Sequence, residues 1–375
     1  MKNEKEETLA GWKIIWWLFK LFGLPITIPW LVYHFYDIML QKRKKIALNN
    51  KVVVMITGAS SGLGEALAHT FYSLGCRIIL VSRRKEELER VKNDLMNTHQ
   101  TVPTYPPIVL SLDLTDINNL KNKVSKIIMV HGRIDILINN AGISYRGEII
   151  DTNVDVDIKV MLSNYFSQVA LSKIVLPYMI EQKSGHIIGI SSVQGRIAIP
   201  FRQVSSYKSA YAASKHALQA WYDTARAELC DKNIKFTVVN PGYIKTSLSL
   251  NALTGNGQVY GIMDKTTESG FQPKYVAECI LKSVLKQEKE VTIASFSPKC
   301  AIILRTLFPS LYFWIMQKHI LKKLLHGLSS FAIVIFENFV KMKITKNNDL
   351  KLYANIKAWI KSGSLYLYLC GLIIT

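Results

Sequence analysis

The chain has 375 residues, 49% of them apolar and 20% charged, with a formal net charge of +20. That suffices for one large α/β domain with flanking segments, and it excludes a disordered chain. Five cysteines (Cys76, Cys230, Cys279, Cys300 and Cys370) lie far apart with no C-x-x-C pair or Cys/His cluster, so neither a disulfide framework nor a metal site is expected. The charge gathers at the ends: residues 1–50 hold eight Lys/Arg against four Asp/Glu, and residues 297–375 hold eleven against two. Basic ends beside apolar segments suit an anionic membrane surface. No nucleic-acid-binding motif accompanies them, so no nucleic-acid partner is expected.

Residues 1–45 read as a membrane anchor with a basic flank. Between Leu21 and Tyr36 there is no Lys, Arg, Asp or Glu. A helix over 21–40 would reach roughly 30 Å, one hydrocarbon core. Trp12, Trp16, Trp17 and Trp30 suit an interfacial aromatic belt. Pro25 and Pro29 allow a kinked span or a hairpin dipping into one leaflet. A helix packed on the protein's own domain is the alternative. If the segment spans, Lys42, Arg43, Lys44 and Lys45 place the following domain in the cytosol.

From residue 50 to 296 the pattern becomes that of a single catalytic domain. Strand-like runs at 51–57, 77–82, 108–112, 134–139, 186–191, 235–240 and 291–294 alternate with helical patterns such as 64–74 and 85–97. That rhythm predicts an α/β fold with a Rossmann-like, doubly wound parallel sheet. Residues 297–320 read as an apolar lid or interfacial helix, interrupted by Arg305. Residues 321–375 are apolar and Lys-rich without a domain signature.

Gly58, Ser60, Ser61, Gly62, Leu63 and Gly64 follow the first strand and open a helix. Glycine is wanted there because the backbone must turn tightly, approach a pyrophosphate and aim helix N-terminal amides at it. The second strand ends on Ser82, Arg83, Arg84 and Lys85, where an NAD site would carry an acid. Basic residues there suit a 2′-phosphate, so NADP(H) is the expected cofactor, with a solvated basic turn as the alternative. Farther on, Tyr211 and Lys215 stand four apart, one turn along a helix face. A phenol titrates near 10, and a neighbouring cation should lower that value enough for proton shuttling.

T-G-x-x-x-G-x-G, then Asn139-Asn140-Ala141-Gly142, Ser192, Y-x-x-x-K and Pro241-Gly242, in that order, resemble the short-chain dehydrogenase/reductase family over about residues 50–315. Residues 140–147, 154–157, 164–166, 209–216 and 241–246 carry the closest likeness within it. The resemblance implies that Ser192 binds the substrate carbonyl, with Ser191 as the alternative at the same strand end. It implies that Tyr211 is the acid/base and that Lys215 lowers its pKa and binds the nicotinamide ribose. Asn164 would hold a water in a proton relay. Asp113, with Leu114 beside it, would contact the adenine. Asn140, Ala141 and Gly142 would line the cofactor cleft, and Pro241, Gly242 and Thr246 would close it at the carboxamide. Asn140 and Asn164 could equally be structural.

The chain departs from the family in one place. Eighteen residues separate Ser192 from Tyr211, more than the family usually has, and 203–208 look inserted before the catalytic helix. The resemblance also implies a small lipophilic carbonyl or alcohol substrate, with acyl- or alkyl-dihydroxyacetone phosphate first and a steroid or retinoid second. Family members often pair through two core helices, so a homodimer is among the expected states. The chain ends Leu-Ile-Ile-Thr, with neither an S-K-L nor a K-D-E-L signal, which leaves the endoplasmic reticulum as the expected membrane and the peroxisome as the alternative. A low-turnover, membrane-tethered NADP(H)-binding protein is the rival from another class, and the intact Ser/Tyr/Lys set argues against it.

Overall fold

The computed structural model describes residues 20, 23–41, 48–198 and 209–317. Residues 203–208, the basic run 42–45 and the tail 321–375 lie outside the described residues. The chain divides into two compact units, 1–196 with 208–295, and 197–207 with 296–375.

In the first unit, short apolar runs become strands β1 (Val53–Thr57), β2 (Arg77–Ser82), β3 (Ile108–Ser111), β4 (Ile136–Asn139), β6 (Gly185–Ile190), β7 (Ile234–Pro241) and β9 (Glu290–Ile293). They form one sheet in the order β3-β2-β1-β4-β6-β7-β9, all parallel. Two-residue strands β5 (Tyr145–Arg146) and β8 (Leu253–Thr254) pair separately. Helices α2 (Gly62–Tyr72), α3 (Lys85–Thr98), α4 (Ile117–His131), α5 (Val154–Met161), α6 (Ser167–Glu181), α7 (Ser209–Glu228), α8 (Lys265–Glu268) and α9 (Pro273–Lys286) connect or cover them.

Strand alternation sorts the core. Val54 and Ile56 of β1 and Ile78 and Leu80 of β2 pack with Leu67 and Phe71 of α2, Val91 of α3 and Ile280 of α9. Their neighbours Val53, Met55, Ile79 and Val81 face the other way, onto Val124 of α4, Val175 of α6 and Leu218 of α7. Both faces are therefore covered, which explains why these strands read as continuous apolar runs. The chain moves outward from β1 through β2 to β3 and then restarts at β4 on the other side of β1. The carboxyl ends of β1 and β4 diverge there, and a cleft opens at that switch point.

One buried polar group in this sheet should make the domain acid-sensitive. His186 on β6 is buried with its Nε2 at 2.8 Å from Thr237 Oγ1. Burial, helped by Lys235, pushes its pKa from 6.5 to about 3. The unfolded chain takes up a proton below 6.5 that the folded chain refuses until about 3. Stability is thus intact above 6.5 and drains as the pH falls, by about 1.4 kcal/mol per unit from this residue. Urea unfolding at pH 7 and pH 5 should show a smaller acid loss in His186→Gln than in the wild type. Equal losses would remove His186 as the cause.

Ahead of the sheet, helix α1 covers Leu24–Gln41 with Pro29 inside it. Ile28, Leu31, Val32, Phe35 and Tyr36 are exposed on it. No helix among the described residues is long and apolar enough to cross a membrane. The reach expected for 21–40 is therefore not matched by a spanning helix. Tyr, Trp, His and Pro dilute the aliphatic residues of α1.

The second unit contains α10 (Phe296–Leu307), followed by helical residues 309–317. The Tyr312 hydroxyl donates to Ala198 O at 3.0 Å, and the Arg305 guanidinium lies over the Tyr312 and Phe313 rings. Phe308, Leu311, Phe313 and Trp314 are exposed.

Candidate active site

The cleft at the switch point encloses about 550 Å³. Every site residue expected from the sequence lines it except Gly64 and Asn164, which stand behind its walls. Its floor is built by close backbone approach. The Thr57 hydroxyl accepts from Asn140 N at 2.9 Å and Ala141 N at 3.0 Å, and Asn140 Nδ2 donates to Thr57 O at 2.9 Å. These bonds pin the end of β1 to the end of β4.

Gly58 and Gly62 both adopt the left-handed conformation, at φ +64° and +60°. A Cβ on Gly62 would lie 3.0 Å from Thr246 Cγ2, so the segment after Pro241 and Gly242 rests on the glycine turn. Ser61 begins α2 without a side-chain cap. The first-turn amides stay available, with the positive end of the helix behind them. This bare, glycine-lined cradle fits a dinucleotide pyrophosphate.

The Ser60 and Ser61 hydroxyls serve another partner. Arg84 Nη2 donates to both, at 2.9 and 3.0 Å. Arg84 thus arches from the end of β2 to the glycine turn, with Arg83 beside it on the cleft wall. Asp113 Oδ1 accepts from Thr115 N at 2.9 Å and Thr115 Oγ1 at 2.7 Å. Burial pushes its carboxyl up, but the Thr115 hydrogen bonds and the Arg83 charge together bring it below the ordinary value.

At the other end, α7 carries Tyr211 and Lys215 on one face toward the end of β6. The Ser192 hydroxyl hydrogen-bonds the Tyr211 phenol and accepts from Gln194 N at 3.2 Å. Ser191, the alternative, instead donates to Lys215 O at 3.2 Å. It is committed to holding α7 against the strand, and Ser192 is the serine that meets the phenol.

Lys215 is buried, with Nζ donating to Ile190 O at 2.7 Å and lying 5.6 Å from the Tyr211 ring centroid. Burial brings its pKa down to about 8. The net direction for Tyr211 is upward, against the lowering expected from a neighbouring cation. Burial raises the phenol above 10, and the two opposing influences are the Ser192 hydrogen bond and the charge of Arg146.

Asn164 sits in a π-helical turn, Leu162–Phe166, between α5 and α6. Such turns displace one residue from helical register, often at functional sites. Asn164 Oδ1 accepts from Ile143 N at 2.8 Å, and its Nδ2 donates to Ile143 O at 3.0 Å and Ser214 Oγ at 3.0 Å. It therefore ties the loop after β4 to α7. A Cβ on Gly142 would lie 3.0 Å from Asn164 Oδ1 and 3.7 Å from Lys215 Nζ, so the missing side chain is what lets the amide and the ammonium share one space.

Sequence reasoning gave Arg146 and Asp264 no role, although Arg146 lines the cleft and its charge reaches Tyr211. The only available signal was an Arg in the run after Gly142. Away from the cleft, Glu65, His69 and Asp94 hold ligand-type atoms within 4.8 Å of one another. Arg90 already grips Glu65 at 2.8 Å, and His69 Nε2 faces Asp94 at 3.1 Å.

Comparison with known proteins gives the family. Residues 52–256 match the family described as short chain dehydrogenase. A dehydrogenase/reductase SDR family protein 7-like of Anopheles gambiae is 53% identical over 318 residues, 85% of this chain and 98% of the relative. Dehydrogenase/reductase SDR family member 7B of Xenopus laevis is 47% identical over 293 residues, covering 78% and 88%. A crystallised metagenomic short-chain oxidoreductase in complex with NADP shares 25% identity with a TM-score of 0.51, covering 66% of this chain and 99% of that one. The chain belongs to the short-chain dehydrogenase/reductase family of oxidoreductases.

Proposed function

We propose that the protein is an NADPH-dependent carbonyl reductase acting on a lipophilic substrate at a membrane surface. The meeting of Ser192, Tyr211 and Lys215 at one end of the cleft carries the reading. NADPH, when bound, supplies the hydride. Ser192 donates a hydrogen bond to the substrate carbonyl and steadies the oxygen as charge develops on it. Tyr211, protonated at neutral pH, gives that oxygen its proton. The Lys215 ammonium stabilises the phenolate left behind, and Asn164 holds the neighbouring backbone in place for the relay. The reverse reaction uses the same groups in the opposite order.

Arg84 supports the preference for NADPH. Its guanidinium is already held at the glycine turn by two serine hydroxyls, where it can grip a 2′-phosphate with a planar fork. Ile143 and Leu253 pack with Tyr211 and line the cleft, joined there by Leu248 and Val259, which supports a lipophilic substrate. Lys159 also lines the cleft and offers a cation to a phosphate-bearing lipid ketone. Exposed apolar side chains on α1 and on 308–314, with the basic ends of the chain, support peripheral membrane association.

The test is NADPH and NADH oxidation by the purified protein, offered an alkyl-dihydroxyacetone phosphate, a steroid ketone and retinal. Wild type should prefer NADPH. Arg84→Ser should raise the KM for NADPH by about tenfold or more, the worth of a charge-assisted hydrogen bond, and leave that for NADH nearly unchanged. Equal use of both cofactors by wild type would overturn the NADPH assignment. Failure to reduce any carbonyl would overturn the reductase reading. The same preparation should float with anionic vesicles more than with neutral ones, and flotation with neither would remove the membrane from the proposal.

A further inference from the structure

Arg146 is a buried cation with an unusual set of partners. Its side chain is 2% exposed, and that of Asp264, with which it forms an ion pair, is 13% exposed. Nε lies 3.2 Å from Asp264 Oδ2, and Nη2 donates to the same carboxylate. Nη1 donates to Ser144 Oγ at 2.7 Å and to Tyr145 O at 3.0 Å. A buried guanidinium so closely satisfied is held in one geometry, because any other would leave a charge unpaired out of water.

The partner is equally informative. Asp264 is the N-cap residue of α8, a position where aspartate normally accepts from its own helix's first amides. Here its side chain makes no cap bond and turns to Arg146 instead. The helix forgoes its local stabilisation in favour of a bond to a residue 118 positions earlier.

That bond joins the cleft to its cover. The segment 247–267 contributes Ser247, Leu248, Asn251, Leu253, Val259 and Thr267 to the cleft wall. Its two ends are clamped together where Lys245 N donates to Phe271 O at 2.9 Å and Phe271 N donates to Tyr243 O at 2.8 Å. Its middle is held by the β5–β8 pair and by Leu253 N donating to Ser144 O at 2.9 Å. Between Gly261 and α8, the Arg146–Asp264 pair ties the segment to the core. The guanidinium thus anchors the cover while its charge acts on Tyr211, drawing the phenol down against burial.

We infer that Arg146 and Asp264 form a buried latch that seats the 247–267 segment against the cleft and fixes the Arg146 charge on the same cleft wall as Tyr211. Arg146 is a positioning residue on this view, and the inference rests on the reductase reading for its kinetic consequences. The two jobs are separable by substitution. Arg146→Met removes the charge and the fork. Arg146→Lys keeps the charge but cannot reproduce the fork. The pair Arg146→Met with Asp264→Leu removes both charges, so no unpaired ion remains to unfold the domain.

The experiment measures carbonyl-substrate KM, kcat and NADPH affinity for these variants, the pH profile of the alcohol-oxidising direction, and hydrogen exchange of the Leu253, Tyr260 and Gly261 amides. In Arg146→Met and in the double variant, the substrate KM should rise about tenfold with NADPH affinity within about twofold of wild type. The midpoint of the oxidation profile should move up by about half a pH unit or more, because the phenolate has lost a nearby cation. Arg146→Lys should return that midpoint toward wild type while its KM stays raised. All three variants should exchange the segment's amides faster. A folded double variant with unchanged KM, pH profile and amide protection would overturn the latch. Failure of the reductase reading shows separately, as turnover that persists in Tyr211→Phe or is missing in wild type. Amide exchange still decides the latch in that case.

Discussion

Tyr211→Phe is expected to lower kcat for carbonyl reduction by about 10²- to 10⁴-fold, the usual worth of a positioned proton donor. The protein should fold and bind NADPH as before. The ring is partly buried against the cluster of Tyr145, Val156, Val160, Ala210 and Leu253, and phenylalanine keeps those contacts. Lys215 is held by Ile190 O at 2.7 Å, a bond that does not involve the phenol. What disappears is the hydroxyl that faces Ser192 and its proton. The pH dependence follows from the same two groups. With its pKa raised by burial, Tyr211 stays protonated through neutral pH and is ready to donate. Lys215, pushed down to about 8, loses its charge above that point. The ratio kcat/KM for reduction, which reports the free enzyme's groups, should be level through neutrality and fall as the pH rises past about 8. Stopped-flow or steady-state NADPH oxidation across pH 6 to 10 measures both. Turnover in Tyr211→Phe within about threefold of wild type would assign the proton donor elsewhere.

How far the sequence could be read depended on the reach of each signal. The βαβ rhythm is local and periodic, so the sheet and its order of helices were legible from residues such as 53–57 and 77–82. The glycine turn was legible because 58–64 lie consecutively between strand and helix. Tyr211 and Lys215 were legible because a helix converts a spacing of four into a shared face. The direction of the Tyr211 shift was not, because burial depth is set by β6, α7 and the loop after β4 together. Arg146 and Asp264 are 118 positions apart, and each alone looks like a surface charge. The π-helical turn at Leu162–Phe166 leaves no mark in composition, although it positions Asn164. Strands β5 and β8 have two residues each, below any periodicity. The choice between Ser191 and Ser192 also needed three dimensions, since one hydroxyl is spent on Lys215 O and the other meets the phenol.

Gly64→Ala should be the most damaging single methyl group in the domain. A Cβ there would lie 2.2 Å from Gly58 O, 2.7 Å from Gly58 C and 2.8 Å from Asn140 Nδ2. None of these can swing away: Gly58 is in the tight turn, and Asn140 is bonded to Thr57. The turn must move, and with it the cradle for the pyrophosphate. Overpacking of this kind costs about 1–3 kcal/mol or more, and displacing the phosphate-facing backbone should weaken NADPH binding by at least about tenfold. Gly132→Ala separates crowding from strain. Gly132 caps α4 at φ +72° with nothing within 4 Å of the added carbon. It should lose about 1–2 kcal/mol through the left-handed conformation alone, with cofactor affinity unchanged. Urea unfolding and NADPH fluorescence titration of the two variants give the comparison. Should Gly64→Ala bind NADPH as wild type does, the turn would have a freedom that the Gly58–Gly64 contact denies, and the cradle would have to be sought elsewhere in the cleft. The contact itself explains why glycine is required at 64: its conformation is an ordinary helical one, and the constraint comes wholly from the carbonyl that α2 must approach to bring its first amides to the cleft.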